Sequence, residues 1–279
     1  MRLFTLAFAA TALIGSAVSA QTIERLKETN HLTFGYRTDA APLSYQTTDG
    51  NPAGYSPAIC NEIAQYIANT FEMKNLDVDF VAVDSKDRFD KVANGEIDLL
   101  CGAATITLSR REKVDFSIPT YVDGTSVLLP KSATGHLSEL AGKKIGMRSA
   151  TTTEQAVLNS FGAASVEADM VRFNTHPDGF KALQNGEIDA YFADQSILLV
   201  NYFERDMVND FKLMDEILTI EKHGFALAKG DSDFRLLIDS ALSELYAAGT
   251  MQKLFQAVLP GATPGAGLQA MYVIAPTLP

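Results

Sequence analysis

The chain has no tryptophan, only two cysteines and four histidines, and 34 acidic residues against 23 basic ones. Each shortage removes a class of function. Cys60 and Cys101 form no CxxC pair and the histidines have no metal-ligand spacing, so nothing indicates a zinc site or a redox dithiol. A formal net charge of −11 leaves no basic stripe to follow a nucleic-acid backbone. It also means that an anionic ligand must be gripped by a few local arginines against the field of the whole protein. GxSxG, HExxH, a Walker loop and a strand-led GxGxxG are all absent, which leaves hydrolase, zinc-protease and nucleotide readings without support.

Long apolar runs are missing too. Residues 3–15 are apolar but interrupted by Thr5 and Thr11, short of the ~20 residues that span a bilayer. Arg2 before this stretch and Val18-Ser19-Ala20 after it make an export signal, with cleavage expected after Ala20. No cysteine lies near that point, which argues against a lipid anchor. The expectation is a periplasmic, soluble protein of about 259 residues, enough for two lobes. In an oxidising compartment Cys60 and Cys101 can pair as a disulfide or remain two buried thiols.

What the chain does have is a phrase said twice. Phe89-Asp90-Lys91-Val92-Ala93-Asn94-Gly95-Glu96-Ile97-Asp98 returns as Phe180-Lys181-Ala182-Leu183-Gln184-Asn185-Gly186-Glu187-Ile188-Asp189, 91 residues later. Each copy reads as a helix end, a glycine stop and the start of a buried strand. Strands expected at 32–36, 77–83, 144–147 and 170–173 alternate with helices opening at Ser56-Pro57 and at Thr151-Thr152-Thr153-Glu154. The pattern predicts an α/β fold of two similar lobes with mostly parallel sheets and helices on both faces. The Pro-, Gly- and Ala-rich stretch 260–279 reads as an extended tail.

In such sheets ligands bind beyond the carboxyl ends of the strands. The 91-residue offset pairs Ser85 with His176 and Ala103 with Asp194, four positions that border one cleft if the lobes face each other. Near them stand Arg88, Thr105 and Arg110 in one lobe, and the helix start at Thr151-Thr152 in the other. Arginine forks and free helix N–H groups suit a carboxylate, and an aspartate suits an ammonium. Together they suit a small zwitterion.

These residues resemble those of the periplasmic amino-acid-binding proteins of ABC importers, solute-binding family 3. The likeness rests on Thr105-Ile106-Thr107 with Arg110, Phe116-Ser117 and Tyr121. It continues through Gly142-Lys143-Lys144-Ile145-Gly146, the threonines at 151–153, and Asn185-Gly186-Glu187-Ile188-Asp189 with Asp194. The resemblance implies the two-lobed type II periplasmic-binding fold with its ligand in the interlobe cleft. Residues 21–125 and 221–279 would form one lobe and 126–220 the other, with hinge crossovers near 122–128 and 216–224. By the same resemblance Arg110, the Thr105 hydroxyl and the Thr152 N–H would clamp an α-carboxylate. Asp194 and the Ala103 carbonyl would take the α-ammonium; the serine common in the family at Ala103 is missing.

Gly35-Tyr36-Arg37, Pro42-Leu43-Ser44-Tyr45, Ser85 with Arg88, and His176 with Asp178 and Phe180 are similar to the glutamate/aspartate-binding branch. There Arg37, Ser85, Arg88 and His176 would surround a distal carboxylate. Arg37 or Arg88 could instead pair with Asp39, Asp84 or Asp87 at the surface, which would favour a glutamine-like ligand. The implied partner is a membrane permease, with no cofactor, no metal and a monomeric state. A rival on the same scaffold is a secreted cyclohexadienyl dehydratase, with His176 as general acid.

Overall fold

The computed structural model describes residues 22–277, so the expected export signal lies outside the described residues. Two five-stranded sheets organise the chain. The first, in spatial order, holds Asp77–Val83, His31–Arg37, Leu99–Leu100, Ala226–Ala228 and Val114–Phe116; the second holds Asp169–Phe173, Lys144–Arg148, Ala190–Asp194, Thr125–Pro130 and Phe211–Leu213. In each sheet the first three strands are parallel, the fourth is antiparallel to the third, and the fifth is antiparallel to the fourth. The sheets are therefore mixed where mostly parallel ones were expected. The fourth strand of each enters from the other sheet without a crossover helix of its own, and so it runs the opposite way.

The duplicated phrase builds the same joint in both lobes. Gly95 (φ 73°) and Gly186 (φ 69°) end helices Arg88–Ala93 and His176–Gln184 in the left-handed conformation. Their N–H groups donate to the Val92 and Leu183 carbonyls, and those of Glu96 and Glu187 donate to Lys91 and Ala182. The terminal aspartates then lock the neighbouring strand. Asp98 Oδ2 accepts from Thr33 N–H at 2.8 Å, and Asp189 Oδ2 from Lys144 N–H at 2.9 Å. Ile97 and Ile188 pack over Gly35 and Gly146, where any Cβ would run into their δ-methyls.

The chain passes between the sheets twice, and the two passages pair as a ribbon: Tyr121–Asp123 runs antiparallel to Glu221–His223. The tail is not extended throughout. Ala266–Ile274 is a helix that buries Leu268, Met271 and Tyr272, with Gly267 set against Val122 of the ribbon. Apolar residues three and four apart found a core that the Pro/Gly/Ala composition concealed. Cys60 and Cys101 form a disulfide tying helix Tyr55–Thr70 to the end of strand Leu99–Leu100, across a separation of 41 residues. A loop of that length constrains the unfolded chain by about 4 kcal/mol. Replacing both cysteines by serine is expected to lower the melting temperature by roughly 5–15 °C, read by calorimetry.

Candidate ligand-binding site

Between the carboxyl ends of the two sheets lies a cavity of about 20 Å³, enough for roughly one water. Eight of the ten residues expected at a site line it: Arg37, Arg88, Ala103, Thr105, Thr151, Thr152, His176 and Asp194. The other two are drawn elsewhere. Ser85 donates its hydroxyl to the Ser149 carbonyl at 2.9 Å and so joins the lobes. Arg110 donates from Nη1 to the Thr105 carbonyl at 2.7 Å and lies over the Phe89 ring.

Local sequence explains how the lining is aimed. Thr151 caps helix Thr152–Ala163 by accepting from Glu154 N–H, while Glu154 accepts from Ala150 N–H. Thr175 caps helix His176–Gln184 in the same way. Both helix starts thus face the cleft with their first-turn N–H groups.

The arginines differ in how they are paired. Arg37, 2 % exposed, donates from Nε to Asp39 at 2.9 Å and also binds it through Nη2, so this pair is buried between the lobes and not at the surface. On the other oxygen Asp39 accepts from Arg148 Nε at 2.8 Å and from the His176 N–H at 3.3 Å. Burial alone would raise the Asp39 pKa, but Arg37 and Arg148 hold it far below the usual carboxylate range. Arg148 also donates to Asp84 at 2.8 Å, and Lys86 donates to Asn174 at 2.8 Å. This clasp joins the two lobes on one side of the cavity.

Among the described residues Arg88 has no such counter-ion. It is 2 % exposed, its Nε has no hydrogen-bond partner, and its one polar contact is a long bond from Nη1 to the Ala103 carbonyl at 3.4 Å. Burial first, then Arg37 and Arg110, push its pKa well below the ordinary guanidinium value. Burial also pulls Arg110 down to about 10.

The opposite end is acidic. Asp194 accepts from the Thr153 hydroxyl at 3.2 Å and lies 3.6 Å from His223 Nε2. Burial and the nearby Glu221 and Asp123 raise its pKa well above the usual range. Glu221 is 3 % exposed and joins the lobes through Thr105 and Thr152. Sequence reasoning missed Glu221, Arg148 and the bridging role of Asp39. For Arg148 a signal existed: Gly35-Tyr36-Arg37 and Gly146-Met147-Arg148 stand at equivalent places, with Ile97 and Ile188 on their glycines.

A family model described as bacterial extracellular solute-binding proteins, family 3, matches residues 32–260. The chain belongs to this family. It is 26% identical over 268 residues to an L-glutamate/L-aspartate-binding protein of Pseudomonas aeruginosa, covering 92% of this chain and 89% of the relative. An ABC transporter glutamine-binding protein of Bacillus subtilis is 28% identical over 238 residues, 84% of this chain and 83% of its own. Among solved structures, an ancestral arginine-binding protein bound to glutamine aligns with a TM-score of 0.72 at 26% identity, covering 82% of this chain and 97% of that one. The fold is that of type II periplasmic binding proteins. Among the described residues no helix is long and apolar enough to cross a membrane, and no histidine–carboxylate group could hold a metal ion.

Burial pushes the His176 pKa from 6.5 down to about 3 and the His223 pKa to about 4. Both imidazoles are expected to keep their neutral NMR shifts from pH 7 to pH 5. Because both folded pKa values lie below the unfolded one, their contribution to stability is present above pH 6.5 and is lost as pH falls to about 4 for His223 and to about 3 for His176. Arg148→Ala leaves Asp39 with Arg37 and the His176 N–H and removes the link to Asp84. An increase in radius of gyration by small-angle scattering, from weakened closure, is the expected outcome.

Proposed function

We propose that this amino-acid solute-binding protein of ABC import captures an acidic amino acid, glutamate or aspartate, in the periplasm and presents it to a membrane permease. The observation that carries the reading is Arg88: a buried guanidinium at the cavity wall with no carboxylate bound to it among the described residues. A guanidinium does not deprotonate in a protein, so its burial calls for an anion. The distal carboxylate of the ligand supplies one. An amide such as glutamine would leave that charge unpaired, at several kcal/mol. Arg37 is already neutralised by Asp39 and acts by position, with His176 and Ser85 closing the same side. Arg110 and the Thr152 N–H take the α-carboxylate once the lobes part to admit the ligand, and Asp194 takes the ammonium.

Binding of glutamate and aspartate by the Pseudomonas aeruginosa relative supports the acidic reading, and glutamine binding by the Bacillus subtilis one defines the competing ligand. The lobes would hinge at the ribbon Tyr121–Asp123 with Glu221–His223. Isothermal titration against all common amino acids tests the reading. Glutamate and aspartate are expected to bind, and Arg88→Met to weaken both at least 100-fold while strengthening glutamine at least tenfold, since no guanidinium is then left unpaired. Arg110→Ala is expected to abolish binding of every amino acid. Binding of glutamine alone would overturn the acidic assignment, and turnover of prephenate or arogenate would overturn transport.

A further inference from the structure

Four threonine hydroxyls converge on one buried carboxylate at the hinge. Glu221 Oε2 accepts from Thr105 at 2.5 Å and from Thr152 at 2.6 Å; Oε1 accepts from Thr219 at 2.8 Å and Thr125 at 3.1 Å. Burial opposes its ionisation, yet donation from Thr105 and Thr152 keeps its pKa below the ordinary glutamate value. An ionised carboxylate only accepts, and a hydroxyl has a single proton. The Thr105 and Thr152 protons are therefore both committed to Glu221. Their oxygens lie 3.0 Å apart on the cavity wall, with no proton left for each other.

Two lone-pair oxygens that close need a donor between them. The cavity places the Asp194 carboxyl nearby, which already accepts from Thr153; burial opposes its ionisation, and an ammonium beside it would favour the acceptor form. We infer that Glu221 is a positioning residue that sets the polarity of the site: by taking both hydroxyl protons it makes Thr105 and Thr152 acceptors, which with Asp194 hold the ligand's ammonium. This moves the Thr105 hydroxyl from the α-carboxylate, where the family resemblance put it, to the α-ammonium. The carboxylate keeps donors that Glu221 does not engage, namely Arg110 and the backbone N–H at the start of helix Thr152–Ala163. The inference rests on the reading that the cavity takes an α-amino acid.

A pair of ligands that differ only in the ammonium isolates this role. L-glutamate has it; glutarate has the same two carboxylates without it. By isothermal titration Glu221→Gln is expected to weaken L-glutamate at least 30-fold and to leave glutarate within threefold, because the amide donates to a threonine and turns its proton toward the cavity. A merely structural hinge role would weaken both ligands alike, and that result, or no change in either, overturns the inference. Thr105→Val and Thr152→Val keep side-chain shape and serve if Glu221→Gln does not fold. Each is expected to show the same split, whereas equal loss of both ligands would mean that the hydroxyls donate to a carboxylate. If the wild type binds glutamine and not glutamate, the acidic reading fails alone, and glutamine with glutaramate carries the same comparison. A wild type that binds no amino acid overturns both.

Discussion

The closed arrangement depends on one carboxylate, Asp39, held between an arginine from each lobe. A buried carboxylate is costly unless its charge and lone pairs are met, and one arginine would meet half of them. Arg37 supplies one face from the strand just before Asp39, and Arg148 supplies the other from the second sheet. Satisfying Asp39 therefore requires the lobes to be together. Ser85 with Ser149 and Lys86 with Asn174 add neutral and exposed contacts along the same edge. Because Arg37 and Arg148 are absorbed in this clasp, the charge left over at the cavity is that of Arg88.

The cavity is polar in the literal sense. Guanidinium groups stand at one side, and Asp194, Glu221 and Asp123 at the other. At the acidic end only Glu221 is met by enough hydroxyl donors to lie below its ordinary pKa, while burial pushes Asp123 up to about 6 and Asp194 higher than usual. An α-amino acid with a second carboxylate reproduces that charge pattern in reverse. Relatives in the family are named for glutamate and aspartate in one case and for glutamine in another, so the fold alone does not set the ligand.

Much of this was legible in the duplicated phrase. Its offset of 91 holds from the crossover helix through the following strand, which is why Ser85 with His176 and Ala103 with Asp194 were found at one cleft. The offset changes to 111 one strand earlier, where Gly35 matches Gly146 and Arg37 matches Arg148. The first lobe spends those extra residues on a three-stranded ribbon between Asp39 and Ala53 and on the long helix Tyr55–Thr70. A single offset therefore could not reach Arg148. Glu221 was illegible for another reason: it stands on a strand of the ribbon between the sheets, which has no counterpart in either repeat. The tail helix was hidden by composition, since Pro and Gly flank the apolar spacing of Leu268, Met271 and Tyr272.

The size of the cavity bears on speed as well as on fit. Space for about one water admits no amino acid, so the closed molecule is not the form that meets its solute. Capture must pass through a separated form whose population is limited by the strength of the Asp39 clasp. A tighter clasp would slow both entry and escape while taxing the apparent affinity. The affinity open to the protein is thus a compromise written into a single carboxylate: paired strongly enough to hold the lobes together, weakly enough to let them part.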